Sequence, residues 1–374
     1  MLSVMTTVLR ASDSAQFLGI VPMLAGFTPR RSVVLLPFRG TRTEGAMRLD
    51  LPDTGAALDR YAAAAIELVR RVAGTDAVAV VVYTDEDTTL TPDGLVLPAA
   101  VAVDHVLGCA HAAGLRIVDA LCVARDGWSS YLEEAPARHP LTEIPPMPDL
   151  PEASDVSGDQ FAGAQLPAVA RVERERVIRA LRRLGALLDG DARPTGRTDP
   201  QAIAALVLLE DIPAFFESVL SAPEELPPFA TAALLWCLEQ PMLRDTAIAQ
   251  WATDLAGGVR TLGAQVAYSA RGTELPDDIG RLFAGQGAAP DNERLRRALL
   301  VVRHAAALAP RAARPAPLTA AAWLSWALGR ATHAGRYLDL ARRIDPDYRL
   351  AVMIDMLIAT VPLPEWAFRG RRDG

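Results

Sequence analysis

The chain has 374 residues, of which 51% are hydrophobic and 22% are charged. This length exceeds the size of one ordinary hydrophobic core, so two domains are expected. The formal net charge of -7 argues against a nucleic-acid partner, because nucleic-acid surfaces need clustered basic residues. We therefore expect a globular protein that does not bind nucleic acid.

The sequence has no lysine and no closely spaced pair of cysteines, which limits the kinds of catalytic and metal site it can form. All 38 basic residues are arginines, so a lysine Schiff base and the lysine of a P-loop are excluded. The three cysteines, Cys109, Cys122 and Cys237, are scattered, as in proteins of a reducing compartment. No stretch reaches the ~18 uninterrupted apolar residues of a membrane span, and no basic region precedes an apolar core at the start. These features predict a cytoplasmic protein without a membrane partner.

The first third of the sequence predicts strands that alternate with helices. A helix beginning near Pro22 is expected to end in a left-handed Gly26. The runs at 32–38 and 45–51 predict a hairpin whose first strand lies at a sheet edge, because Pro37 has no N–H to donate. The β-branched run at 76–84 predicts a buried central strand.

Two helices and a second hairpin complete this region. Asp53 or Thr54 is the expected cap of a helix that Gly74 closes, and residues 98–114 predict another helix. Two strands are expected around Asp126-Gly127, a pair that suits a tight turn. Strands and helices that alternate across 45–124 imply parallel neighbours joined by right-handed crossovers. The fold class predicted for residues 1–135 is therefore α/β, with a mixed, mostly parallel sheet, flanking helices and edge hairpins.

The rest of the chain predicts an arm and a helical domain. Residues 136–164 are dense in proline and acidic residues, which is typical of a linker or an extended arm. Residues 165–374 show helical patterns separated by proline and glycine, which predicts an all-α domain. Its end resembles a single tetratricopeptide repeat, with Gly329 between two helices and Asp345-Pro346 after the second. We expect a repeat-like helical domain.

Asp85 and Asp87 follow the predicted central strand at its carboxyl end, where α/β sheets usually bind ligands. Two carboxylates this close in a loop can share a Mg²⁺ ion, which prefers oxygen ligands. A solvated acidic turn is the alternative, and acidic turns are common. Magnesium is thus the one cofactor that the sequence suggests.

Two further groups of residues are candidates for ligand binding. Trp128, Ser129 and Tyr131 follow the second hairpin turn and offer hydroxyl groups beside aromatic rings, as in a ligand pocket. Cross-strand packing explains these three residues equally well. Arg30 and Arg31 stand at the turn before the first strand, where two guanidinium groups can hold a carboxylate or phosphate. Packing of the first helix on the sheet is the simpler interpretation of that turn.

Several stretches resemble the bacterial family called domain of unknown function 4192. They are "FLGIVPMLAGFTPRRSVVLLPF…MRLDLP" from residue 17, "VAVVVYTDED", "RDGWSSYL" and the helical end "APLTAAAWLSW…IDPDYRLA…LPEW". The resemblance spans nearly the whole chain, but it implies no activity, since the family has none to carry over.

Standard catalytic motifs are absent from the sequence: there is no Gly-x-Gly-x-x-Gly after a strand, no Gly-x-Ser-x-Gly and no His-Glu-x-x-His. The leading hypothesis is therefore a cytoplasmic binding or adaptor protein whose helical domain engages a protein partner. The alternative is a metal-assisted enzyme or small-ligand sensor with its pocket at the carboxyl ends of the strands.

Overall fold

The structure is a computed structural model of the chain, and it describes residues 10–43, 45–53, 57–147, 158–189, 200–221 and 226–368. The chain divides into two compact units. The first, here called the sheet unit, contains residues 1–163 together with 368–374, and the second, the helical unit, contains residues 164–367.

The sheet unit contains one five-stranded sheet, one small hairpin and three helices. The sheet has the order β2-β1-β3-β6-β7, and β4 and β5 pair with each other. The strands are β1 (Ser32–Phe38), β2 (Met47–Asp50), β3 (Ala77–Tyr83), β4 (Thr89–Thr91), β5 (Gly94–Val96), β6 (Arg116–Ala124) and β7 (Gly127–Ser130). The helices are α1 (Ser14–Ala25), α2 (Leu58–Arg70) and α3 (Ala100–Ala112). This mixed sheet with flanking helices confirms the predicted fold class.

The sheet is mostly antiparallel, so the expected predominance of parallel neighbours is wrong. Among the strands that the structure describes, only β3 and β6 pair in parallel, and α3 lies between them in the chain. The hairpin partner β1 inserts between β2 and β3 and runs antiparallel to both. Strands β2 and β3 therefore point the same way without being neighbours, which strand and helix alternation alone does not reveal.

Strand β1 is an interior strand, which corrects its prediction as an edge. The correction leaves the proline argument intact, because β2 pairs only with Ser32–Leu35 and ends before Pro37. The carbonyl of Phe38 accepts from Asp76 on the β3 side, so strand alternation turns the nitrogen of Pro37 to the other side. Pro37 thus lies where β1 has no ladder partner on that side.

Three details of the connections differ from expectation. Helix α1 begins at Ser14, capped by Asp13, and contains Pro22 within it, while Gly26 ends it in the left-handed conformation as predicted. Ala57 precedes α2 without a side-chain cap, so Asp53 is not its cap, and Thr54 lies outside the described residues. The β6–β7 hairpin is confirmed, but its two turn residues are Arg125 and Asp126, since Gly127 already pairs with Ala124.

Helices cover both faces of the sheet. Alternate residues of β1 and β3 face α2 and α3 and form one apolar cluster with them. The other alternate residues pack against Phe17, Leu18 and Val21 of α1 in a second cluster. All seven residues of β3 are buried, as the sequence predicts for a central strand.

The described parts of the proline-rich segment at 136–164 pack on the strands and on α1 of the sheet unit, to which nearly all of the segment belongs. His139 exchanges two backbone hydrogen bonds with Trp128, at 2.9 and 2.8 Å. A Cβ on Gly127 would lie 2.6 Å from the carbonyl oxygen of His139, so only glycine allows this approach. Pro145 packs equally closely on Gly19 of α1, and Gln160 bonds to Arg30. The described parts of the segment therefore form an arm that belongs to the sheet unit and packs on its strands and on α1.

The helical unit contains no strand among its described residues, as predicted. Its helices are α4 (Arg171–Leu188), α5 (Pro200–Leu208), α6 (Ile212–Ser218), α7 (Pro228–Glu239), α8 (Pro241–Ala252), α9 (Leu255–Arg271), α10 (Asp277–Phe283), α11 (Asn292–Leu308), α12 (Pro315–Ala327), α13 (Ala331–Arg342) and α14 (Arg349–Thr360). Their core is centred on the large buried side chains of Trp251, Trp323, Trp326 and Phe216.

Helices α12 and α13 form the helix pair that the sequence predicts around Gly329. Gly329 separates the two helices with a φ of 76°, and Ala334, Leu338 and Ala341 of α13 are buried as their spacing predicts.

The stretch Arg349–Phe368 has the length and mean hydropathy, 1.5, of a membrane span by composition alone, with 22% of it buried. The α-helix inside that stretch ends at Thr360, after 12 residues, and is therefore only about 18 Å long.

Candidate functional site

The sheet brings Arg30 and Asp85 together at the carboxyl end of β3. Because β1 runs antiparallel to β3, the residues before β1 and those after β3 meet at the same edge. The guanidinium Nη2 of Arg30 lies 3.2 Å from Oδ1 of Asp85. Both side chains are more than half exposed, at 59% and 54%, so the pair is screened by water.

The backbone of Arg30 is held more firmly than its side chain. Its N–H donates to Oε1 of Gln160 at 3.1 Å, and Nε2 of Gln160 donates to its carbonyl at 2.9 Å. The hydroxyl of Ser32 donates to the same carbonyl at 2.6 Å. Gln160 is only 4% exposed, so a buried amide of the arm fixes the position from which Arg30 reaches Asp85.

The second predicted carboxylate, Asp87, binds a different arginine. The Nε of Arg125, in the β6–β7 turn, donates to Oδ1 of Asp87 at 2.8 Å. This contact with Asp87 raises the pKa of Arg125. Sequence reasoning missed Arg125, although its place in a hairpin turn at the same edge as Asp87 is a signal that could have found it.

Asp126 forms the most highly connected carboxylate of this edge. It accepts from the backbone N–H of Thr88 at 3.0 Å, from the Thr88 hydroxyl at 2.7 Å and from Arg138 at 2.8 Å. The backbone hydrogen bond from Thr88 is the largest cause that lowers the pKa of Asp126 to about 2. This carboxylate fastens the loop after β3 to the β6–β7 turn.

Arginine partners occupy both carboxylates that the magnesium hypothesis uses. Asp85 binds Arg30 and Asp87 binds Arg125, and the chain as described contains no group of three or more His, Cys, Asp or Glu side chains that could hold a metal. The alternative of an acidic turn in solvent fits this arrangement, because each charge is neutralised by a neighbouring guanidinium.

Arg31 is separate from this pairing. Its φ is 45°, in the left-handed region that a bulky side chain rarely adopts, and its carbonyl accepts from Leu51 at 3.3 Å. Its exposed guanidinium forms no ion pair with the residues that the structure describes. The two arginines of the sequence motif therefore have different surroundings and do not form one anion clamp.

The strand β7 places the aromatic and hydroxyl candidates on two faces of the sheet. Trp128 packs in the cluster under α1 and stacks on His139, with ring centroids 4.4 Å apart. Ser129 pairs with Cys122 on the opposite face, where Tyr131 donates to the carbonyl of Pro98 at 2.6 Å. Strand alternation therefore keeps Trp128 apart from Ser129 and Tyr131, and the three do not line one pocket.

Some buried polar atoms near this edge have no hydrogen-bond partner within the described chain. They are the hydroxyl of Tyr83, the indole N–H of Trp128 and the hydroxyl of Ser129. Burial raises the pKa of Tyr83 well above its ordinary value, so the phenol is neutral at physiological pH. Burial also raises the pKa of Cys122 to about 11, so this thiol is protonated at physiological pH and is not a thiolate nucleophile.

The helical unit contains a groove of about 520 Å³ that the sequence did not indicate. It lies between α8, α9, α10 and the loop before α10, and we call it the α8–α10 groove. Its apolar walls are Leu275, Pro276, Ile279 and Phe283, and its polar lining is Asp245, Gln265, Asp277 and Arg281. Its volume falls within the range of ligand pockets.

Asp245 is the most buried charged group in the groove lining. The Nε and Nη2 of Arg244 both donate to its Oδ1, at 3.1 and 3.0 Å, and Nη1 of Arg244 donates to Tyr348. Burial raises the pKa of Asp245 despite the adjacent guanidinium. Both hydrogen bonds from Arg244 therefore fall on one carboxylate oxygen of Asp245, Oδ1.

Comparison with known proteins adds a family and no activity. A family model described as "Domain of unknown function (DUF4192)" matches residues 15–364, which is nearly the whole chain. No curated protein and no solved structure gives a significant match.

Proposed function

Since this chain belongs to the family of domain of unknown function 4192, whose description states no activity, we propose that it is a binding protein. Its helical unit holds a short segment of a protein partner in the α8–α10 groove. The observation that carries this proposal is the groove itself, with four apolar side chains beside two carboxylates, one amide and one guanidinium.

The chemistry of the lining favours a peptide segment. Leu275, Ile279 and Phe283 can receive an apolar side chain, whose burial contributes about 25 cal/mol per Å². Gln265 offers both a donor and an acceptor, which is what a peptide backbone needs. Asp245 and Arg281 add charges of opposite sign at the wall, so polar residues next to the apolar anchor can be accommodated.

The sheet edge supports the rival function less well. A sensor or metal-assisted enzyme would need free polar groups at the carboxyl ends of the strands. Instead Asp85, Asp87 and Asp126 each bind an arginine.

Cysteines Cys109, Cys122 and Cys237 are all free thiols, which supports the cytoplasm as the place where the protein acts.

A site-specific photo-cross-linker tests this proposal in extract of the native cells. Placed at Gln265, in the groove, it should attach one reproducible protein that mass spectrometry distinguishes from this chain. Placed at Arg179, an exposed residue of α4, it should not. Ile279→Arg should abolish the product at Gln265, because the charged side chain fills the apolar wall.

Identical products at Gln265 and Arg179, or a product that survives Ile279→Arg, would contradict the proposal. A thermal-shift screen of the purified protein separates the rival function, because a ligand of the folded state raises the melting temperature. A rise with Mg²⁺ that Asp85→Asn removes would favour the sensor or enzyme.

A further inference from the structure

Three arginines from separate parts of the helical unit gather at the C-terminal end of α11. Arg174, in the first turn of α4, donates from Nε to the carbonyl of Ala307 at 3.2 Å. Arg314 donates from Nε to the carbonyl of Ala309, the residue after α11, at 3.1 Å. Arg311 precedes Arg314 by three residues in a 3-10 turn, where side chains three apart lie on one side. We call Arg174, Arg311 and Arg314 the arginine cluster.

The arginine cluster has no acidic partner within the described part of the chain. None of its members forms an ion pair with a described carboxylate. Burial lowers the pKa of Arg314, and the charges of Arg174 and Arg311 lower it further. Arg125 and Arg294 show the opposite, because an adjacent carboxylate raises the pKa of each. The charges that act on Arg314 are thus like charges, which leaves an excess of positive charge at this place.

Capping of α11 is the alternative explanation of the cluster, and it accounts for only part of it. The last carbonyls of a helix carry about half an elementary negative charge, so the Nε contacts of Arg174 and Arg314 stabilise this helix end. Half a negative charge does not balance three guanidinium groups. Arg314 is also the residue before α12, where the partial positive charge of a helix N-terminus disfavours a cation. Capping alone therefore leaves the site strongly positive.

The cluster has donors to spare for an anion. Each guanidinium has about five N–H donors. The hydrogen bonds to described residues use one N–H of Arg174, one of Arg314 and one of Arg311, whose Nη2 donates to the carbonyl of Arg343 at 3.4 Å. Guanidinium groups bind phosphate oxygens in pairs of parallel hydrogen bonds. A phosphate monoester, with about −1.5 to −2 charges and three acceptor oxygens, matches three guanidinium groups better than a carboxylate does.

We infer that the arginine cluster binds a phosphate group, either the free ion or the monoester of a small molecule. The Nη groups of Arg174 and Arg314 donate to the phosphate oxygens, while their Nε atoms keep the contacts with the end of α11. Arg311, the exposed member, adds the third positive charge. This inference goes beyond the proposed function, because none of the three arginines lines the α8–α10 groove. A result at one site therefore leaves the other unaffected.

Isothermal titration calorimetry of the purified full chain tests the site. Inorganic phosphate, titrated near neutral pH, should give saturable heat for one site at millimolar concentration or below. Sodium chloride at the same ionic strength should give none. Glycerol 3-phosphate, titrated in the same way, distinguishes the two sources of the phosphate group, since the tighter of the two ligands identifies the source.

A matched pair of charge reversals assigns the heat to the cluster. Arg311→Glu should raise the phosphate dissociation constant at least ~tenfold and should keep the melting temperature, because Arg311 is exposed. Arg182→Glu is the control. Arg182 is an exposed residue of α4, eight positions after Arg174 and about 12 Å farther along the helix. Both variants change the net charge equally, so general electrostatic attraction would affect them alike, whereas direct binding is lost only in Arg311→Glu.

The pH dependence gives a second readout. Phosphate loses its second proton near pH ~6, so binding to the cluster should tighten as the pH rises through that value. The absence of saturable heat with both phosphate compounds would overturn the inference. Equal weakening by Arg311→Glu and Arg182→Glu would do the same, and so would phosphate binding that survives both Arg311→Glu and Arg314→Gln.

Discussion

At the edge of the sheet, Nη2 of Arg30 donates to the two oxygens of Asp85 at 3.2 and 3.5 Å, and both side chains remain more than half exposed. In the helical unit, Arg294 of α11 grips Glu217 of α6 with two hydrogen bonds, at 2.5 and 2.8 Å. Gln250 of α8 joins them, with its Nε2 donating to Glu217 at 3.1 Å and to the carbonyl of Pro213 at 2.8 Å. The first pair lies on the surface of the sheet unit, whereas the second connects α6, α8 and α11 through hydrogen bonds.

The difference teaches how burial changes the role of the same two residue types. Water screens the sheet-edge pairs, so their removal leaves charges that solvent can stabilise. In the helical network, removal of one partner leaves another partly buried charge without its hydrogen bonds. The structural importance of an arginine–carboxylate pair therefore follows from its surroundings, which the sequence does not display.

The largest expected effect lies in the aromatic core next to this network. Trp251 is fully buried, and its indole N–H donates to the carbonyl of Phe216 at 3.0 Å. Trp251→Ala should destabilise the helical unit by roughly 3–5 kcal/mol, through lost burial and a cavity. Urea unfolding followed by circular dichroism measures the change. Trp236→Ala, on the half-buried Trp236 of α7, is the control and should cost less; an equal cost would contradict the assignment of Trp251 to the core centre.

The next effect concerns the partly buried ion pair between Arg294 and Glu217. Glu217→Gln keeps the shape of the side chain but removes its charge, and it should cost about 2 kcal/mol, as for hydrogen bonds to charged groups. The contact with Arg294 lowers the pKa of Glu217 below its unfolded value. Its contribution is therefore complete above pH values near the unfolded pKa and is lost as the pH falls through the lower, folded pKa. Unfolding measured from neutral to acidic pH should show the two proteins converging in acid; a constant difference would oppose this origin.

Asp126, at the sheet edge, should also contribute less to stability in acid than at neutral pH, and by a smaller amount than Glu217. Its pKa is lowered to about 2 from an ordinary 3.8, so its contribution should be lost between roughly pH 4 and pH 2. The protection of the Thr88 amide, which donates to Asp126, against hydrogen exchange relative to an unstructured peptide at the same pH should fall across this range. In Asp126→Asn the exchange should already be faster at neutral pH. An unaltered protein whose Thr88 amide exchanges at the same protection throughout would exclude this role.

The smallest effect is expected where a sequence motif first suggested a ligand site. Arg30→Ala removes an exposed ion pair and should change the free energy of unfolding by about 0–1 kcal/mol. Gln160→Ala should cost more, because it leaves the backbone N–H and carbonyl of Arg30 without the hydrogen bonds that the buried Gln160 side chain supplies. Thermal unfolding of both variants measures the comparison. If Arg30→Ala were the more damaging change, its side chain would have a structural role that its exposure does not suggest.

Periodicity predicted the elements that are buried on one side or on both. Strand β3 is continuously β-branched and buried, and α3 and α4 carry enough apolar residues to be recognised. The directions in which strands pair were harder to predict, because the insertion of β1 between β2 and β3 depends on contacts between residues far apart in the chain. The turn at Arg125 and Asp126 shows the same limit on a smaller scale, since register decided it against the more suggestive Asp126-Gly127.

The candidate site shows a similar division. The sequence placed Asp85 and Asp87 after the central strand and Arg30 at the turn before the first strand, and the structure brings all three to one edge. The sequence did not reveal their neighbours. Arg125 neutralises Asp87, Gln160 fixes the backbone of Arg30, and Arg138 binds the adjacent Asp126. The α8–α10 groove had no sequence signal, because its lining comes from three helices and a loop, none of which carries a recognisable motif.

By itself the sequence determined the fold class, the absence of lysine chemistry and the division into a region with strands and a region of helices. These properties follow from composition and from the local spacing of apolar residues, which act over one turn or one strand. The tertiary structure alone decided strand order, the partner of each carboxylate, the groove and the arginine cluster at the end of α11. Each of these depends on which distant side chains come into contact, and the free energy of that contact is set by burial that local sequence does not encode.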